Sequence, residues 1–149
     1  MKIEIIKTKI GLVKIIYDDT QTKIISVTFI DSSKIKPVKK SLSGLHEYFK
    51  GQYDYFTNLD LELKGTPFQC KVWKQILKIP FGETRTYSDI AVAIGNPKAV
   101  RAVANACGAN SIAIIIPCHR VVGKNNYGGY EYGLEKKLWL LDFEKKNTQ

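Results

Sequence analysis

An apolar run near the C-terminus, Ile112 to Ile116, leads into Pro117, Cys118, His119 and Arg120. A thiol attacks as its thiolate, and nearby positive charge or a histidine relay favours that form. The run predicts a strand with Cys118 at its tip, an imidazole beside it and a cation next. Neighbours on a strand point to opposite faces, so proton exchange between Cys118 and His119 requires a turn or a bridging water. Glu144, from the C-terminal segment, is the candidate that orients His119 in a triad-like relay. Cys70 and Cys107 fall inside helical patterns, where a cysteine is usually inert packing, so no second thiol is expected beside Cys118.

The segments that must position this cysteine are clearly punctuated. Thr66-Pro67-Phe68-Gln69 is a capping box with proline at the first helical position. It predicts a helix to about Lys78 with Phe68, Val72, Trp73, Ile76 and Leu77 as its apolar stripe. Thr86-Tyr87-Ser88-Asp89 is a second box, opening a short helix to about Ile94 that Gly95 closes. Asn96-Pro97 again reads as N-cap then proline, predicting a third helix to about Cys107. Two short helices joined by a tight turn form a helix-turn-helix pattern. In the third helix Val100, Val103 and Cys107 face inward. Its other face is nearly bald, with alanines and one large cation, Arg101. Small residues suit shallow minor-groove contact, and a lone long side chain suits a wedge. Side chains that read base edges are scarce. A Gly/Asn-rich loop, 123–129, and a last helix, about Leu134 to Glu144, complete the chain.

Upstream, Ile3–Lys7, Gly11–Tyr17 and Lys23–Ile30 read as strands separated by turn residues. A polar loop spans 31–40. A short helix is predicted over 41–50 with Leu42, Leu45 and Phe49 on one face. Residues 52–65 look extended and linker-like. The expected organisation is a small α/β domain over 1–58 and a mainly helical domain over 63–149, an α+β chain overall.

The 149 residues carry 23 Lys+Arg against 14 Asp+Glu, a formal net charge of +9. Such an excess favours a polyanionic partner. Three cysteines without a CxxC or Cys/His cluster make a zinc site unexpected and fit a reducing cytoplasm. The N-terminus lacks the apolar stretch of a signal peptide, and no segment approaches the ~18 apolar residues of a membrane span.

From about Gly65 to Glu144 the chain resembles one family, the O6-alkylguanine-DNA alkyltransferases, or methylated-DNA–protein-cysteine methyltransferases. The resemblance runs through GTPFQCKVWKQILKIPFGETRTYSDIA, GNPKAVRAV, IIIPCHRVVG, GGYEYGLE and KLWLLDFE. HEYFKGQYDYF is similar to the family's entry to this domain, and the first ~55 residues match only in general pattern. The resemblance implies a ribonuclease H-like α/β domain followed by a winged helix-turn-helix-like domain. It implies that Cys118 is the alkyl acceptor, His119 a water-bridged base and Glu144 its partner. Tyr87 is similar to the phenol that donates to the departing guanine, and Arg101 to the arginine that replaces the flipped base. DNA contacts are implied for Lys98, Ala99, Ala102, Asn105, Thr86 and Ser88. The pocket is implied to comprise Tyr87, Asn110, Pro117, Val121, Tyr130, Glu131 and Tyr132. Carbonyls of Cys118 and Val121 are expected to face the guanine amino group.

The implied reaction is a displacement at the alkyl carbon of an extruded base. It gives a stable thioether, one event per chain, without cofactor or metal. The implied partner is double-stranded DNA containing O6-alkylguanine, met through the minor groove by a monomer. Three other readings remain: a lesion-recognition protein without transfer, a helix-turn-helix regulator, and a cysteine hydrolase, which needs an oxyanion hole.

Overall fold

The computed structural model describes residues 1–52 and 60–148. They divide into two units, 1–52 and 60–63 with 111–115, and 64–110 with 116–148, in an α+β arrangement. Among the described residues no helix is long and apolar enough to cross a membrane.

The first unit is built on an antiparallel meander of β1 (Lys2–Thr8), β2 (Gly11–Tyr17) and β3 (Lys23–Ile30). Along β2, Val13, Ile15 and Tyr17 are buried and their neighbours are not, the period-two signature of a one-sided sheet. Asp18 organises the second turn by accepting from the backbone N–H groups of Thr22 and Lys23 at 2.9 and 3.0 Å. Those bonds, chiefly the one from Lys23, hold its carboxyl below the ordinary value.

The helix expected over 41–50 forms only as α1 (Leu45–Phe49). Ser41 and Ser43 are drawn instead into a buried polar cluster around Glu4, which accepts from Ser41 Oγ at 2.7 Å and Tyr17 OH at 2.6 Å. Leu45 and Phe49 are buried as expected, but Leu42 is 46% exposed because it lies ahead of the helix. Part of the predicted linker is a short strand, β4 (Asp60–Leu61), parallel to β3. The rest of that expectation, over 53–59, lies outside the described residues.

The apolar run before the cysteine is not a strand. Only Ile112 bridges β3, through Val27 N–H to Ser111 O and Ala113 N–H to Val27 O, both 2.9 Å. Ile114 then takes a left-handed φ of 70°, a conformation costing a β-branched residue on the order of 1–3 kcal/mol. Burial of the isoleucines from 112 to 116 holds the chain in that turn.

In the second unit both capping boxes form. Thr66 caps α2 (Pro67–Ile76), and Thr86 caps α3 (Tyr87–Ala93). Val72, Trp73 and Ile76 are buried, whereas Leu77 lies past the last full turn and is 39% exposed. Trp73 Nε1 donates to Ala106 O at 2.8 Å, pinning α2 to α4 (Val100–Gly108). That helix starts later than predicted. Ala99 N–H bonds Asn96 O, so Asn96 and Pro97 make a turn with proline at its second position, and Ala99 becomes the N-cap without a side-chain bond. A short parallel pair, β5 (Arg85–Thr86) with β6 (Val121–Val122), joins the entry of α3 to the segment after the cysteine. The last helix, α5 (Leu134–Asn147), runs beyond Glu144.

Candidate active site

Cys118 opens a 3-10 turn, Cys118–Arg120, rather than ending a strand. The turn closes because Arg120 N–H reaches Pro117 O at 2.9 Å. It lets three successive side chains diverge, so Cys118, His119 and Arg120 are all buried with different partners.

The Cys118 thiol lines a cavity of about 320 Å³ with Tyr87, Ala104, Cys107, Tyr130 and Glu131 among its walls. Asn110 lies behind it. Its Nδ2 donates to Cys118 Sγ at 3.3 Å and to Ile116 O at 2.9 Å, tying the end of α4 to the Cys118 thiol. The hydrogen bond to Cys107, together with burial, holds the Cys118 thiol well above its ordinary value, and Asn110 works against them. At neutral pH the resting sulfur is therefore protonated and needs a base. Cys107, expected to be inert, lines the same cavity from the last turn of α4, and the neighbouring Cys118 thiol holds its own thiol below the ordinary value.

The base is His119. Its Nε2 meets Glu144 Oε2 at 2.6 Å. Glu144 also accepts from Arg120 Nε at 2.7 Å, Arg120 Nη2 at 2.9 Å and Gly82 N–H at 3.3 Å. Burial alone raises a carboxyl, but His119 and Arg120 outweigh it and keep Glu144 far below the usual range. An ionised Glu144 requires the proton on His119 Nε2, which leaves Nδ1 as a lone pair. Burial holds the imidazole below its ordinary value despite Glu144, so the neutral form prevails. Among the described residues, neither His119 Nδ1 nor Tyr130 OH has a protein partner.

Arg120 does not serve the thiol as the cation beside it in sequence suggested. It pairs with Glu144, donates to Ile79 O at 2.8 Å and lies 5.7 Å from the Phe81 ring centroid. Lys137, absent from the sequence reading, is fully buried. Its Nζ donates to Val121 O at 2.7 Å and Gly129 O at 2.8 Å. Thus Val121 O, expected to face a ligand, already accepts one bond. The signal for Lys137 is its spacing: 137, 140 and 144 form the buried stripe of α5.

Tyr87, Tyr130 and Glu131 line the cavity as expected, and so does Asn105. Pro117 and Val121 are buried and, like Asn110 and Tyr132, stand outside its lining. Burial, then the neighbouring Cys107, raises the Tyr87 phenol, which keeps it a donor. Along α4 and its entry, Lys98, Arg101, Ala102 and Asn105 are exposed and Ala99 is half-buried. Ser88 is exposed, while the Thr86 hydroxyl is engaged as the N-cap.

A helix-turn-helix whose second helix walls a cavity floored by a thiol defines a DNA-binding protein with a nucleophilic cysteine. The profile of the family described as "6-O-methylguanine DNA methyltransferase, DNA binding domain" matches residues 67–146. A probable methylated-DNA–protein-cysteine methyltransferase of Acanthamoeba polyphaga mimivirus is 93% identical over 149 residues, covering 100% of both chains. The methylated-DNA–protein-cysteine methyltransferase of Methanosarcina barkeri is 48% identical over 112 residues, 74% of this chain and 70% of that one. The crystal structure of Mycobacterium tuberculosis OGT in complex with DNA matches with TM-score 0.83 at 37% identity, covering 98% of this chain and 94% of that one. The chain belongs to the 6-O-methylguanine-DNA methyltransferase family.

Proposed function

We propose that this chain repairs O6-alkylguanine in DNA by direct reversal, moving the alkyl group from guanine O6 to Cys118. The observation that carries the assignment is the buried Cys118 sulfur at the wall of a cavity shared with Tyr87 and the small-residue face of α4. A lesion inside a duplex is out of reach, so the nucleotide is extruded, at a cost of a few kcal/mol that a poorly pairing lesion reduces. Arg101 fills the vacated stack. Lys98, Ala99, Ala102, Asn105, Thr86 and Ser88 meet the DNA from the minor-groove side, with the net charge of +9 supplying long-range attraction.

In the cavity, His119 Nδ1 takes the Cys118 proton through a bridging water while Glu144 holds the imidazolium. The sulfur–carbon bond forms as the carbon–O6 bond breaks, and Tyr87 supplies a proton to the departing guanine. Tyr130 packs along the base, and Glu131 presents its backbone N–H toward O6. Asn110, Pro117, Val121 and Tyr132 support these groups. The thioether is stable to water, so each chain acts once and needs no cofactor. All three cysteines are thiols, which fits work in a reducing cytoplasm.

Intact mass after mixing with a duplex carrying one O6-methylguanine tests the reading. The expected gain is one methylene per chain, absent in Cys118→Ser. Tight lesion-selective binding without a gain would leave a recognition protein only.

A further inference from the structure

We propose that Cys107 and Cys118 form a reversible oxidation site, in which a peroxide joins the two thiols as a disulfide and a dithiol reductant separates them. The sequence reading had no second thiol beside Cys118, and the fold supplies one. Cys107 comes from the last turn of α4 and Cys118 from the turn after Pro117. Both side chains line the same cavity. A space of about 320 Å³ with Cys107 only half-buried admits a molecule as small as hydrogen peroxide. Cys70 belongs to a different place, at the start of α2, where its sulfur faces Gly65 O at 3.8 Å.

The chemistry balances with hydrogen peroxide as oxidant. The Cys107 sulfur, half-buried where Cys118 is buried, attacks one peroxide oxygen. The O–O bond breaks, releasing water and leaving a sulfenic acid on Cys107. The Cys118 sulfur attacks that sulfenic sulfur and expels a second water. Two thiols and one peroxide thus give one disulfide and two waters. Exchange with an external dithiol returns both thiols and oxidises the reductant.

The consequence for repair rests on the assignment of Cys118 as acceptor; the oxidation itself does not. An acceptor that is oxidised alone proceeds to sulfinic acid, which reductants do not reverse. A resolving thiol within reach diverts it to a recoverable state.

The test uses the full chain, reduced, treated with stoichiometric hydrogen peroxide and blocked with iodoacetamide. Mass spectrometry is expected to show loss of two hydrogens, a cross-linked peptide pair containing Cys107 and Cys118, and carbamidomethyl on Cys70. Methyl uptake from an O6-methylguanine duplex is then lost and returns with dithiothreitol. In Cys107→Ser given a further equivalent of peroxide, Cys118 gains two oxygens as sulfinic acid, and dithiothreitol restores none of that variant's own starting uptake, whereas the parent chain given the same excess still recovers. Oxygen gain on Cys118 in the unsubstituted chain without a cross-link, or a cross-link through Cys70, would overturn the proposal. A Cys107–Cys118 cross-link with undiminished methyl uptake would leave the oxidation site standing and remove Cys118 as the acceptor.

Discussion

The Lys137 ammonium stands 5.7 Å from the centroid of the Tyr87 ring while donating to two carbonyls, Val121 O and Gly129 O. One buried cation from α5 thereby fixes both segments that border the cavity and supports the ring that faces it.

Replacing Lys137 by methionine keeps the stem and leaves one buried and one part-buried carbonyl, of Val121 and Gly129, without their donor. The expected loss is about 1–3 kcal/mol for the buried carbonyl and less for the part-buried one, read as a lower midpoint in urea melts. Burial pushes the Lys137 pKa down to about 8 from 10.5. Between those values the unfolded chain binds more protons than the folded one, so the Lys137 contribution to stability rises with pH across that window. The stability gap between the parent chain and Lys137→Met should therefore widen from pH 8 to pH 10.5. A gap independent of pH would show that Lys137 titrates normally.

Glu144 binds the neutral His119 imidazole and the charge of Arg120 in the interior. Glu144→Gln leaves the Arg120 guanidinium buried without a counter-charge, an error that costs roughly 3–5 kcal/mol. The folded carboxyl lies below its ordinary value of 4.5, so its contribution is complete above that pH and is lost as pH falls below it. The depressed His119 value acts in the same direction, because the unfolded imidazole takes up protons first. Thermal melts from neutral to acid pH should show a steep loss of stability in the parent chain and a shallower one in Glu144→Gln.

What was legible in the chain was local. Thr66 with Gln69 and Thr86 with Asp89 each cap a helix within four residues, and both boxes form as read. The meander also follows from short-range alternation. The run before Cys118 was misread because its five apolar residues are β-like by composition, while Ile114 adopts a left-handed backbone held by burial rather than by its own preference. Asn96-Pro97 fits a cap or a turn equally well, and only the Ala99-to-Asn96 bond decides. For Cys107, helical position alone implied packing. The facing sulfur lies eleven residues on, across a turn no local pattern announces. Lys137 was passed over and Arg120 was read as the thiol's cation because charged residues are mostly exposed, and their burial depends on carbonyls and on Glu144 brought from elsewhere.

Gly128 has φ +71°, and a Cβ there would stand 2.7 Å from Tyr87 Cε2 and 3.0 Å from its Cζ. Gly128→Ala is strained in its backbone by about 1–2 kcal/mol and must also push the phenol aside. Its methyl transfer should slow by about tenfold to a hundredfold, since a positioned proton donor contributes on that scale or more. Tyr87→Phe should slow transfer comparably without the loss of stability. A Gly128→Ala protein that melts lower yet transfers at the parent rate would remove Tyr87 from the chemistry.

Arg101 is exposed on α4 and lies outside the cavity lining, so its role should be confined to getting the base out of the duplex. Arg101→Ala loses the side chain that fills the gap. An extrusion penalty of a few kcal/mol translates into roughly a tenfold to thousandfold slower transfer from O6-methylguanine in duplex DNA. Transfer from O6-methylguanine as the free base, which needs no extrusion, should keep the parent rate. A wedge and a phosphate contact also differ in salt dependence. Lys98→Ala should reduce the slope of log affinity against log salt by about one, whereas Arg101→Ala should leave the slope nearly unchanged. Equal slowing on duplex and free base would mean that the substitution disturbs the cavity, and a slope reduced by Arg101→Ala would make Arg101 a phosphate contact instead of a wedge.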